Sequence, residues 1–436
     1  MKAIAQQLQG IIDNSGICDW ENLAPTQQTQ VLQAIAPVIT PSCIVYPATQ
    51  EELAKVVTFA HQNRWGILPC GGGSKLGWGG LVENVNLVVS TQRLNRLIES
   101  AVGDLTVTVE AGMKFPELQQ ILATAGQFLA LDPTTPANAT IGGIVSTADA
   151  GSLRQRYGGV RDQLLGFSFV RADGQIAKAG GRVVKNVAGY DLMKLFTGAF
   201  GTLGIISQVT FRVYPLPSAS QTVVLTGQAD AIGTAARTLL ASALKPVAAD
   251  LLSRQLVSNL GLGGGLGLLV RFQSVPEAVA EQSVRLLAMG QHLGLEGATY
   301  QENDEMELWQ KLPEQIDVSV QEPAISCKIG VLPSMAVATM TYLETLPIPA
   351  VGLIHVGSGL GRLRWDGEGA IAQILALRSH CQTNGGFLTI LEAPIAVKQQ
   401  VDVWGYTGNA LDLMRKIKRQ FDPEDILSSH RFVAGI

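Results

Sequence analysis

Charged residues are scarce in this chain: Asp, Glu, Lys and Arg together make up 16% of its 436 residues, against about 25% in typical soluble domains. The formal net charge of -4 excludes a protein that binds nucleic acid through a strongly basic surface. Hydrophobic residues account for 47% of the chain, so it can bury large cores and is not intrinsically disordered. Its length predicts about two or three domains.

No part of the sequence resembles a membrane-spanning helix, which needs about 20 consecutive apolar residues. The longest charge-free stretch, residues 22–50, is interrupted by Gln, Thr, Ser and Pro, and the most hydrophobic one, residues 255–270, contains five glycines. The first ten residues do not contain the apolar core of a secretory signal. We therefore expect a soluble cytoplasmic protein that is not exported.

Cysteine is rare as well. The five residues are widely separated, at Cys18, Cys43, Cys70, Cys327 and Cys381. Because no C-x-x-C pair is present, this chain cannot build a zinc ribbon or an iron–sulfur cluster by itself. We expect reduced thiols, as in a cytosolic protein.

Local patterns indicate ordered elements along the chain. Thr49 and Glu52 form a capping-box pattern that predicts the start of a helix. The turn signal at 172–174 predicts a hairpin between residues 166–170 and 175–178. Near the C-terminus, residues 410–421 predict a helix with one apolar face. Its basic residues predict a solvated face rather than a surface for nucleic acid; they are Arg415, Lys416, Lys418 and Arg419.

Glycine is abundant, with 47 residues, and three of its clusters carry the strongest functional signal. The first, Pro69–Gly77, reads PCGGGSKLG. Such runs let backbone N–H groups converge on an anion, and Lys75 could add a positive charge. The run matches neither the Walker pattern nor the Rossmann fingerprint, and a flexible hairpin loop is the alternative. Two further clusters, within residues 132–162 and 185–206, place glycines beside apolar residues that could sandwich a flat ring.

Five motifs in order resemble the FAD-binding domain of the vanillyl-alcohol-oxidase type, also called the PCMH or type 4 domain. They read GGGS at 71–74 followed by Gly77, TIGG at 140–143, YGGVRD at 157–162, KNVAGYDL at 185–192 and GTLGII at 201–206.

The C-terminal tail resembles one particular branch of this family. FDPEDIL at 421–427, followed by Arg431 and Phe432, is similar to the closing motif of the glycolate oxidase and D-lactate dehydrogenase branch. Within that branch, residues 180–204 and 431–436 most resemble the E-subunit family of multi-subunit glycolate oxidases (glycolate dehydrogenases).

The resemblance implies an α+β fold in two parts. The FAD-binding PCMH-type domain would span residues 37–217, after an N-terminal helical or irregular segment over residues 1–36. A cap domain for substrate or partners, with an antiparallel sheet and helices, would span residues 218–393. Residues 394–436 would return to the FAD domain.

The resemblance also implies one bound FAD, with its pyrophosphate on the loop from Cys70 to Gly77. In some members of the family a His in this loop bonds covalently to the flavin. Gly73 stands there in this chain, and Cys70 beside it is a less favoured thiol link, so we expect non-covalent FAD. The residues carried over as cofactor-binding are Cys70, Gly71, Gly72, Gly73, Ser74, Lys75, Gly77, Asp132, Pro133, Thr134, Thr140, Gly142, Gly143, Arg161, Asp162, Gly198, Gly201, Thr202, Gly204, Ile205 and Ile206.

The catalytic pattern of the branch is incomplete in this chain. Oxidising a 2-hydroxy acid requires a cation for the carboxylate and a base for the hydroxyl proton, which the branch commonly supplies, with a metal, through H-x-G-D-G-N-x-H and a later Glu-His pair. This chain reads HVGSGLGR at 355–362 and EA at 392–393. One His and one carboxylate remain where a metal needs about three or four ligands, so we expect no metal. The candidate catalytic residues are His355, Arg362, Glu392 and His430, although a lone His is often structural.

Three functions compete. Intact FAD loops beside an incomplete catalytic motif favour a flavoprotein subunit of a complex that oxidises glycolate to glyoxylate. In that complex, a sister flavin subunit would carry the complete catalytic set and an iron–sulfur subunit would take the electrons onward. The second function is an autonomous FAD-dependent dehydrogenase of glycolate or D-lactate, with His355 or His430 as the base and Arg362 or Arg364 on the carboxylate. The third is a non-catalytic assembly subunit that has lost its flavin.

The expected partners follow from these alternatives. They are a small 2-hydroxy acid such as glycolate, the sister flavin subunit and the iron–sulfur subunit, with no nucleic acid. Partner subunits could hold the cytoplasmic protein at a membrane surface. Residues 255–270 and 329–343 contain no charged side chain, and we expect another subunit to cover part of that surface.

Overall fold

A computed structural model describes residues 2–182, 189–317 and 324–436. The chain divides into two units. The first comprises Met1–Ala150, Gly159–Leu216 and Tyr406–Ile436, and the second comprises Gly151–Gly158 and Pro217–Gly405. Both units combine helices with mainly antiparallel sheets, which confirms the predicted α+β class.

The first unit begins with a four-stranded mixed sheet. Its elements are α1 (Lys2–Leu8), β1 (Ile17–Asp19), α2 (Pro25–Leu32), β2 (Cys43–Val45), α3 (Gln50–Asn63), β3 (Ile67–Cys70) and β4 (Leu87–Ser90). The strand order is β1-β2-β4-β3, with β1 antiparallel to β2 and the other pairs parallel. Helix α3 begins as predicted, because the hydroxyl of Thr49 accepts a hydrogen bond from the backbone N–H of Glu52 at 3.1 Å. The helix packs on the sheet through the fully buried residues Leu53, Val56, Val57 and Ala60.

A five-stranded antiparallel sheet completes the framework of the first unit. The elements that follow β4 are β5 (Leu97–Ala101), β6 (Thr106–Glu110), α4 (Phe115–Ala123), β7 (Gln127–Phe128), α5 (Ile141–Thr147), α6 (Arg154–Tyr157, in the second unit), α7 (Val160–Gln163), β8 (Leu164–Val170), β9 (Ile176–Gly180), α8 (Leu192–Phe196), β10 (Ile205–Arg212) and β11 (Tyr214–Pro215). The strand order is β5-β6-β10-β8-β9. Strands β8 and β9 form the predicted hairpin. Within the motif at 185–192, residues 185–188 lie outside the described residues.

The second unit is built on an eight-stranded sheet. Its elements are β12 (Ala219–Gly227), α9 (Ala229–Ala241), β13 (Ala248–Leu252), α10 (Arg254–Asn259), β14 (Leu266–Ser274), α11 (Pro276–His292), β15 (Glu296–Gln301), α12 (Glu302–Ile316), β16 (Ala324–Gly330), α13 (Ala336–Glu344), β17 (Val351–His355), β18 (Leu360–Asp366), α14 (Ile371–Thr383), β19 (Phe387–Glu392) and α15 (Ile395–Gln400). Neighbouring strands are antiparallel, in the order β15-β12-β14-β13-β17-β18-β16-β19. One sheet face forms the main core with α9, α11, α13 and α14. Part of the other face packs on α10 and α12.

The core of this unit explains its two uncharged stretches. Residues 255–270 include most of α10 and the start of β14, and residues 329–343 include the end of β16 and most of α13. Many of their apolar side chains are buried in the same unit, as shown by Leu268, Val270, Ile329 and Met340 at 0% exposure. The lack of charge therefore gives no reason to expect a covering subunit. Among the helices of the described ranges, none combines the length and hydrophobicity needed to cross a membrane.

The C-terminal segment packs within the first unit. Helix α16 (Leu411–Phe421) places Phe421 against Phe196, with ring centroids 5.4 Å apart. The chain after it then runs alongside β3. The N–H of Ile67 donates a hydrogen bond to the carbonyl of Ile426 at 2.7 Å, and the N–H of Ser428 donates to the carbonyl of Ile67 at 3.0 Å. The tail is thereby fixed beside the strand that leads into the glycine loop.

The predicted solvated face of α16 is wrong at Lys418, which is buried. Its ammonium group lies 2.7 Å from the carboxylate of Asp422 and 3.0 Å from that of Asp425. It also donates hydrogen bonds to the carbonyls of Thr202 and Leu427. The helical pattern could not show this, because the acceptors lie beyond the helix and in a distant loop.

Candidate functional site

The first unit contains a cavity that is partly open to solvent, with an empty volume of about 650 Å³ when the adjoining open solvent is included. The loop after β3, the start of α5 and the loop before β10 form its walls. The predicted cofactor residues that line it are Cys70, Gly71, Gly72, Gly73, Ser74, Lys75, Thr140, Gly142, Gly143, Gly201, Gly204, Ile205 and Ile206. The lining residues that the prediction did not include are Pro69, Leu76, Thr91, Ser146, Thr147, Phe200 and Arg431.

Steric contact explains the glycine run of the loop after β3 (Pro69–Gly77, called the first loop below). A Cβ atom on Gly71 would lie 1.9 Å from the hydroxyl oxygen of Thr140, and one on Gly72 would lie 2.1 Å from the carbonyl oxygen of Asn138. Gly73 has a φ of +79°, which residues with a side chain rarely adopt. The loop backbone therefore packs directly on the segment before α5, which leaves no space for a side chain at 71 or 72.

Close packing also explains the glycines at the start of α5, which forms another wall of the cavity. The hydroxyl of Thr140 caps α5 by accepting a hydrogen bond from the N–H of Gly143 at 3.3 Å. A Cβ atom on Gly142 would lie 2.7 Å from the Cβ of Ala111, and the N–H of Gly142 donates to the carbonyl of Ala111 at 2.7 Å. The TIGG motif thus fixes α5 closely against the end of β6.

Within the described part of the chain, the cations that line the cavity are Lys75 and Arg431, and both are buried. The ammonium group of Lys75 lies 3.0 Å from the carboxylate of Asp149. That carboxylate also accepts hydrogen bonds from the N–H and hydroxyl of Thr134, at 2.9 and 3.0 Å. Asp149 therefore balances part of the charge of Lys75, but Nζ of Lys75 has no hydrogen-bond partner among the described residues, and its role at the pyrophosphate stays a prediction. Thr134, expected to contact the cofactor, forms hydrogen bonds with Asp149.

Arg431 brings the C-terminal tail into the cavity. Its guanidinium group donates hydrogen bonds to the carbonyls of Lys75 and Leu76 at 3.1 Å and to that of Trp78 at 3.4 Å. It also lies 5.8 Å from the ring centroid of Phe200. Burial lowers the pKa of Arg431 to about 10, so the side chain stays charged at neutral pH. The tail motif was the only sequence signal for this residue, and it did not reveal the contact with the glycine loop.

The cavity fits a non-covalently bound ligand with polar groups. Burial raises the pKa of the Cys70 thiol to about 11, so the thiol is protonated and a poor nucleophile for a covalent link. The hydroxyl of Ser428 is buried, has no hydrogen-bond partner among the described residues, and lies 3.4 Å from the position of a Cβ on Gly201. Since buried polar groups are normally satisfied, this hydroxyl has capacity for a further hydrogen bond, although Ser428 is not among the residues that line the cavity.

Other residues expected to bind the cofactor do not line the cavity; they are Gly77, Asp132, Pro133, Thr134, Arg161, Asp162, Gly198 and Thr202. Two of them have local structural contacts. The carboxylate of Asp162 accepts a hydrogen bond from the N–H of Gly159 at 2.8 Å and caps α7. The hydroxyl of Thr202 donates to the carbonyl of Ala199 at 2.7 Å. A motif carried over from a family does not separate such residues from those that face the cavity.

Three predicted catalytic residues lie on one face of the sheet in the second unit. His355 ends β17, Arg362 lies in β18 and Glu392 ends β19. In the strand register, Arg362 pairs with Leu353, which lies two residues before His355, so both side chains point to the same face. Ser326 pairs with Glu392 and with Arg364, which extends that face. We call it the polar face, defined by His355, Arg362 and Glu392.

On the polar face, His355 and Arg362 each pair with an acidic side chain. Nδ1 of His355 lies 2.6 Å from a carboxylate oxygen of Asp250, and the two side chains are 6% and 0% exposed. Sequence reasoning missed Asp250, which is opposite His355 in the register of β13 and β17. Arg362 lies 2.7 Å from Asp317 and donates to the hydroxyl of Ser326 at 3.4 Å. Among the described residues, no three His, Cys, Asp or Glu side chains are grouped as metal ligands.

His430, the fourth predicted catalytic residue, does not line the cavity. Its side chain is 45% exposed, and Nε2 lies 3.5 Å from the carboxylate of Glu83. Nδ1 lies 3.0 Å from the hydroxyl of Ser429. The expectation that this ring could approach the cofactor is therefore corrected: it lies at the surface of the tail.

A family model described as an FAD binding domain matches residues 41–180, which include the first loop and the TIGG motif. This segment is therefore similar to an FAD-binding domain, as its motifs predicted, and the cofactor that the match supports is FAD. The fold agrees: the structure of p-cresol methylhydroxylase with substrate bound has a TM-score of 0.74 at 15% identity, covering 99% of this chain and 96% of that one.

Two relatives with curated descriptions are similar in sequence to part of this chain. The glycolate oxidase subunit GlcD of Bacillus subtilis (strain 168) is 30% identical over 215 residues, which are 49% of this chain and 46% of that protein. The mitochondrial D-lactate dehydrogenase [cytochrome] of Arabidopsis thaliana is 33% identical over 184 residues, which are 42% of this chain and 32% of that protein. The chain thus spans less than half the length of these relatives.

Proposed function

We propose that this chain is an FAD-dependent oxidoreductase of a small 2-hydroxy acid, and that it works as a flavin subunit of a glycolate-oxidising complex. The observation that carries the proposal is the cavity built around the glycine loop, within a segment that matches an FAD-binding domain. The names of the relatives indicate the substrate class, because glycolate and D-lactate are both 2-hydroxy acids. Bound FAD would supply the acceptor for the hydride that leaves the substrate.

In this proposal, the first loop holds the pyrophosphate of FAD. Gly71 and Gly72 allow the loop backbone to approach the phosphates without interference from side chains. Ile205 and Ile206, both buried and on the cavity wall, exclude water from the bound cofactor. The sequence-predicted residues that line the cavity are accordingly the proposed cofactor contacts.

The polar face supplies the proposed substrate groups. An ionised Asp250 accepts a hydrogen bond and cannot donate one, so Nδ1 of His355 carries the proton. Nε2 is then available to accept the hydroxyl proton of the substrate. Arg362 would bind the carboxylate, because a planar guanidinium matches that group well. Glu392 remains a candidate on the same face.

One observation favours an accessory role instead. The guanidinium of Arg362 is already paired with Asp317 at 2.7 Å, which reduces the charge that it can offer to a substrate. A sister flavin subunit would then oxidise the substrate, and an iron–sulfur subunit would take the electrons onward. A cytoplasmic location, with partner subunits at a membrane surface, belongs to this proposal.

Anaerobic spectroscopy of the full chain, expressed alone, tests these alternatives. Bound flavin that loses its visible absorbance on addition of glycolate or D-lactate supports direct oxidation, whereas bound flavin that keeps its absorbance supports the accessory role. A purified chain without flavin contradicts both and favours an assembly subunit. If His355 is the base, His355→Asn should slow the absorbance loss on the order of 10²- to 10⁴-fold. Replacing the exposed His292 by Asn is the matched control and should change nothing.

A further inference from the structure

Lys418 is a buried ionisable residue that the proposed chemistry does not use. A lysine ammonium group has three N–H donors. Here they donate to the carbonyl of Thr202 at 3.1 Å, the carboxylate of Asp422 at 2.7 Å and the carbonyl of Leu427 at 2.8 Å. The side chain is 7% exposed, and a cation is costly to bury unless it is paired and hydrogen-bonded. Two of these acceptors lie in the C-terminal tail after α16, and the third lies in the loop before β10, a wall of the cavity.

The loop before β10 has a strained backbone. Phe200 has a φ of +54° and Gly201 a φ of +76°, and the left-handed region is unfavourable for a residue with a side chain. Both residues line the cavity. The next residue, Thr202, closes the turn by donating its N–H and its hydroxyl to the carbonyl of Ala199, whereas its own carbonyl accepts the hydrogen bond from Lys418. Because strained backbone persists only where its surroundings fix it, this bond supports the shape of the wall.

The other two bonds of the ammonium group fix the tail beside β3. The carbonyl of Leu427 lies between Ile426 and Ser428, both of which form hydrogen bonds with Ile67 of that strand. The carboxylate of Asp422 holds the same segment, since it accepts hydrogen bonds from the N–H groups of Ile426 at 3.1 Å and Leu427 at 2.8 Å. One ammonium group thereby connects the loop before β10 to the strand that leads into the first loop.

These two walls of the cavity are also in contact at Gly201. A Cβ atom there would lie 3.4 Å from Cγ of Pro69, at the start of the first loop, and 3.4 Å from the hydroxyl oxygen of Ser428 in the tail. The spacing between the walls therefore depends on where the tail lies, and Lys418 binds the tail to one of them.

We propose that Lys418 is a positioning residue of the FAD site, which fixes the loop before β10 against the first loop without lining the cavity itself. The inference rests on the proposed placement of FAD in this cavity. Lys418 lies far outside residues 41–180, the segment that matches an FAD-binding domain, so the role belongs to the tail rather than to that segment.

The test uses the full chain after reversible removal of its flavin, and measures the dissociation constant of FAD and the amide hydrogen exchange of residues 198–204. Lys418→Met removes the three donors. It should weaken FAD binding by at least about tenfold and speed exchange in residues 198–204 more than elsewhere in the first unit. Arg378→Met in the second unit is the matched control, because Arg378 is also a buried cation that donates to three backbone carbonyls. It should change neither measurement.

A double variant separates the lost bond to Thr202 from the charge that Lys418→Met leaves unpaired on Asp422. In Lys418→Met/Asp422→Asn no buried carboxylate remains alone, and the amide oxygen of Asn can still accept from the N–H groups of Ile426 and Leu427. Stability to urea should recover relative to the single variant, whereas FAD binding should stay at least about tenfold weaker than in wild type. If Lys418→Met does not fold, the double variant decides.

Four results would overturn the inference. Unchanged FAD affinity in Lys418→Met shows that the wall does not need this bond, and wild-type affinity in the double variant shows that only the unpaired carboxylate mattered. Exchange that rises equally throughout the first unit shows that Lys418 stabilises the fold in general. An equal loss of affinity in Arg378→Met shows that the effect is not specific to this cation. A wild-type chain that binds no FAD contradicts the proposed function itself.

Discussion

The glycine loop of the first unit and the polar face of the second are built by different kinds of contact. In the loop, main chain packs on main chain, and positions such as Gly72 leave no space for a Cβ. On the polar face, polar side chains pair across strands, as His355 does with Asp250. A site of the first kind should be sensitive to any added atom, whereas one of the second kind should be sensitive to loss of a partner.

The largest effect is expected for Gly72→Val. Its Cβ would lie 2.1 Å from the carbonyl oxygen of Asn138, which belongs to the backbone and cannot move aside cheaply. The loop must therefore shift away from α5, and we expect FAD binding to be lost. Flavin content of the purified chain, measured by absorbance, checks this. Gly103→Val, at a position with nothing within 4 Å, should retain full flavin, and normal flavin in Gly72→Val would refute the assignment of the loop.

The same contrast explains how much of the molecule could be predicted. Main-chain features leave local signals: the Thr49 cap and the hairpin of β8 and β9 were both expected from short patterns and are both present. The glycine loop was likewise visible as a run of residues. What it packs against was not, because Asn138 and Thr140 are distant in sequence.

Side-chain pairs leave no such signal. In the sequence, Asp250 is a single acidic residue in an apolar stretch. Only the register of β13 and β17 in the structure places it opposite His355. Lys418 belongs to a basic helical pattern, yet it is buried and forms ion pairs with Asp422 and Asp425. Asp149 in turn forms an ion pair with Lys75. The sequence could therefore indicate which residues are polar and ionisable, while the pairing among them required the tertiary structure.

A second prediction concerns the polar face. His355→Leu would leave the buried carboxylate of Asp250 without its hydrogen-bond partner, and its other oxygen has none among the described residues. Removing one partner of a buried pair costs about 3–5 kcal/mol of unfolding free energy, which urea denaturation can measure.

The double variant Asp250→Leu/His355→Leu sharpens this prediction. With both polar groups replaced by apolar ones, most of the lost stability should return, because no buried charge remains. A double variant as unstable as the single one would show that the two residues act independently. A single variant that loses less than about 1 kcal/mol would show that the carboxylate finds another partner.

The smallest effect is expected for a change at Asp425 in the C-terminal tail, where charge also contributes to the stability of the first unit. Burial acts to raise the pKa of Asp425, but the hydrogen bond from Ser429 and the charge of Lys418 together hold that pKa below its usual value. A lowered pKa in the folded state stabilises the fold above the unfolded pKa of about 3.9, and that stability is lost as the pH falls through the folded value. Asp425→Asn should therefore lower the free energy of unfolding at pH 7, measured by urea denaturation, by less than about 1 kcal/mol, because the side chain is half-exposed. The difference from wild type should shrink as the pH falls through the folded pKa of Asp425 and vanish below it, and a difference that persists there would mean that packing, rather than charge, stabilises this part of the tail.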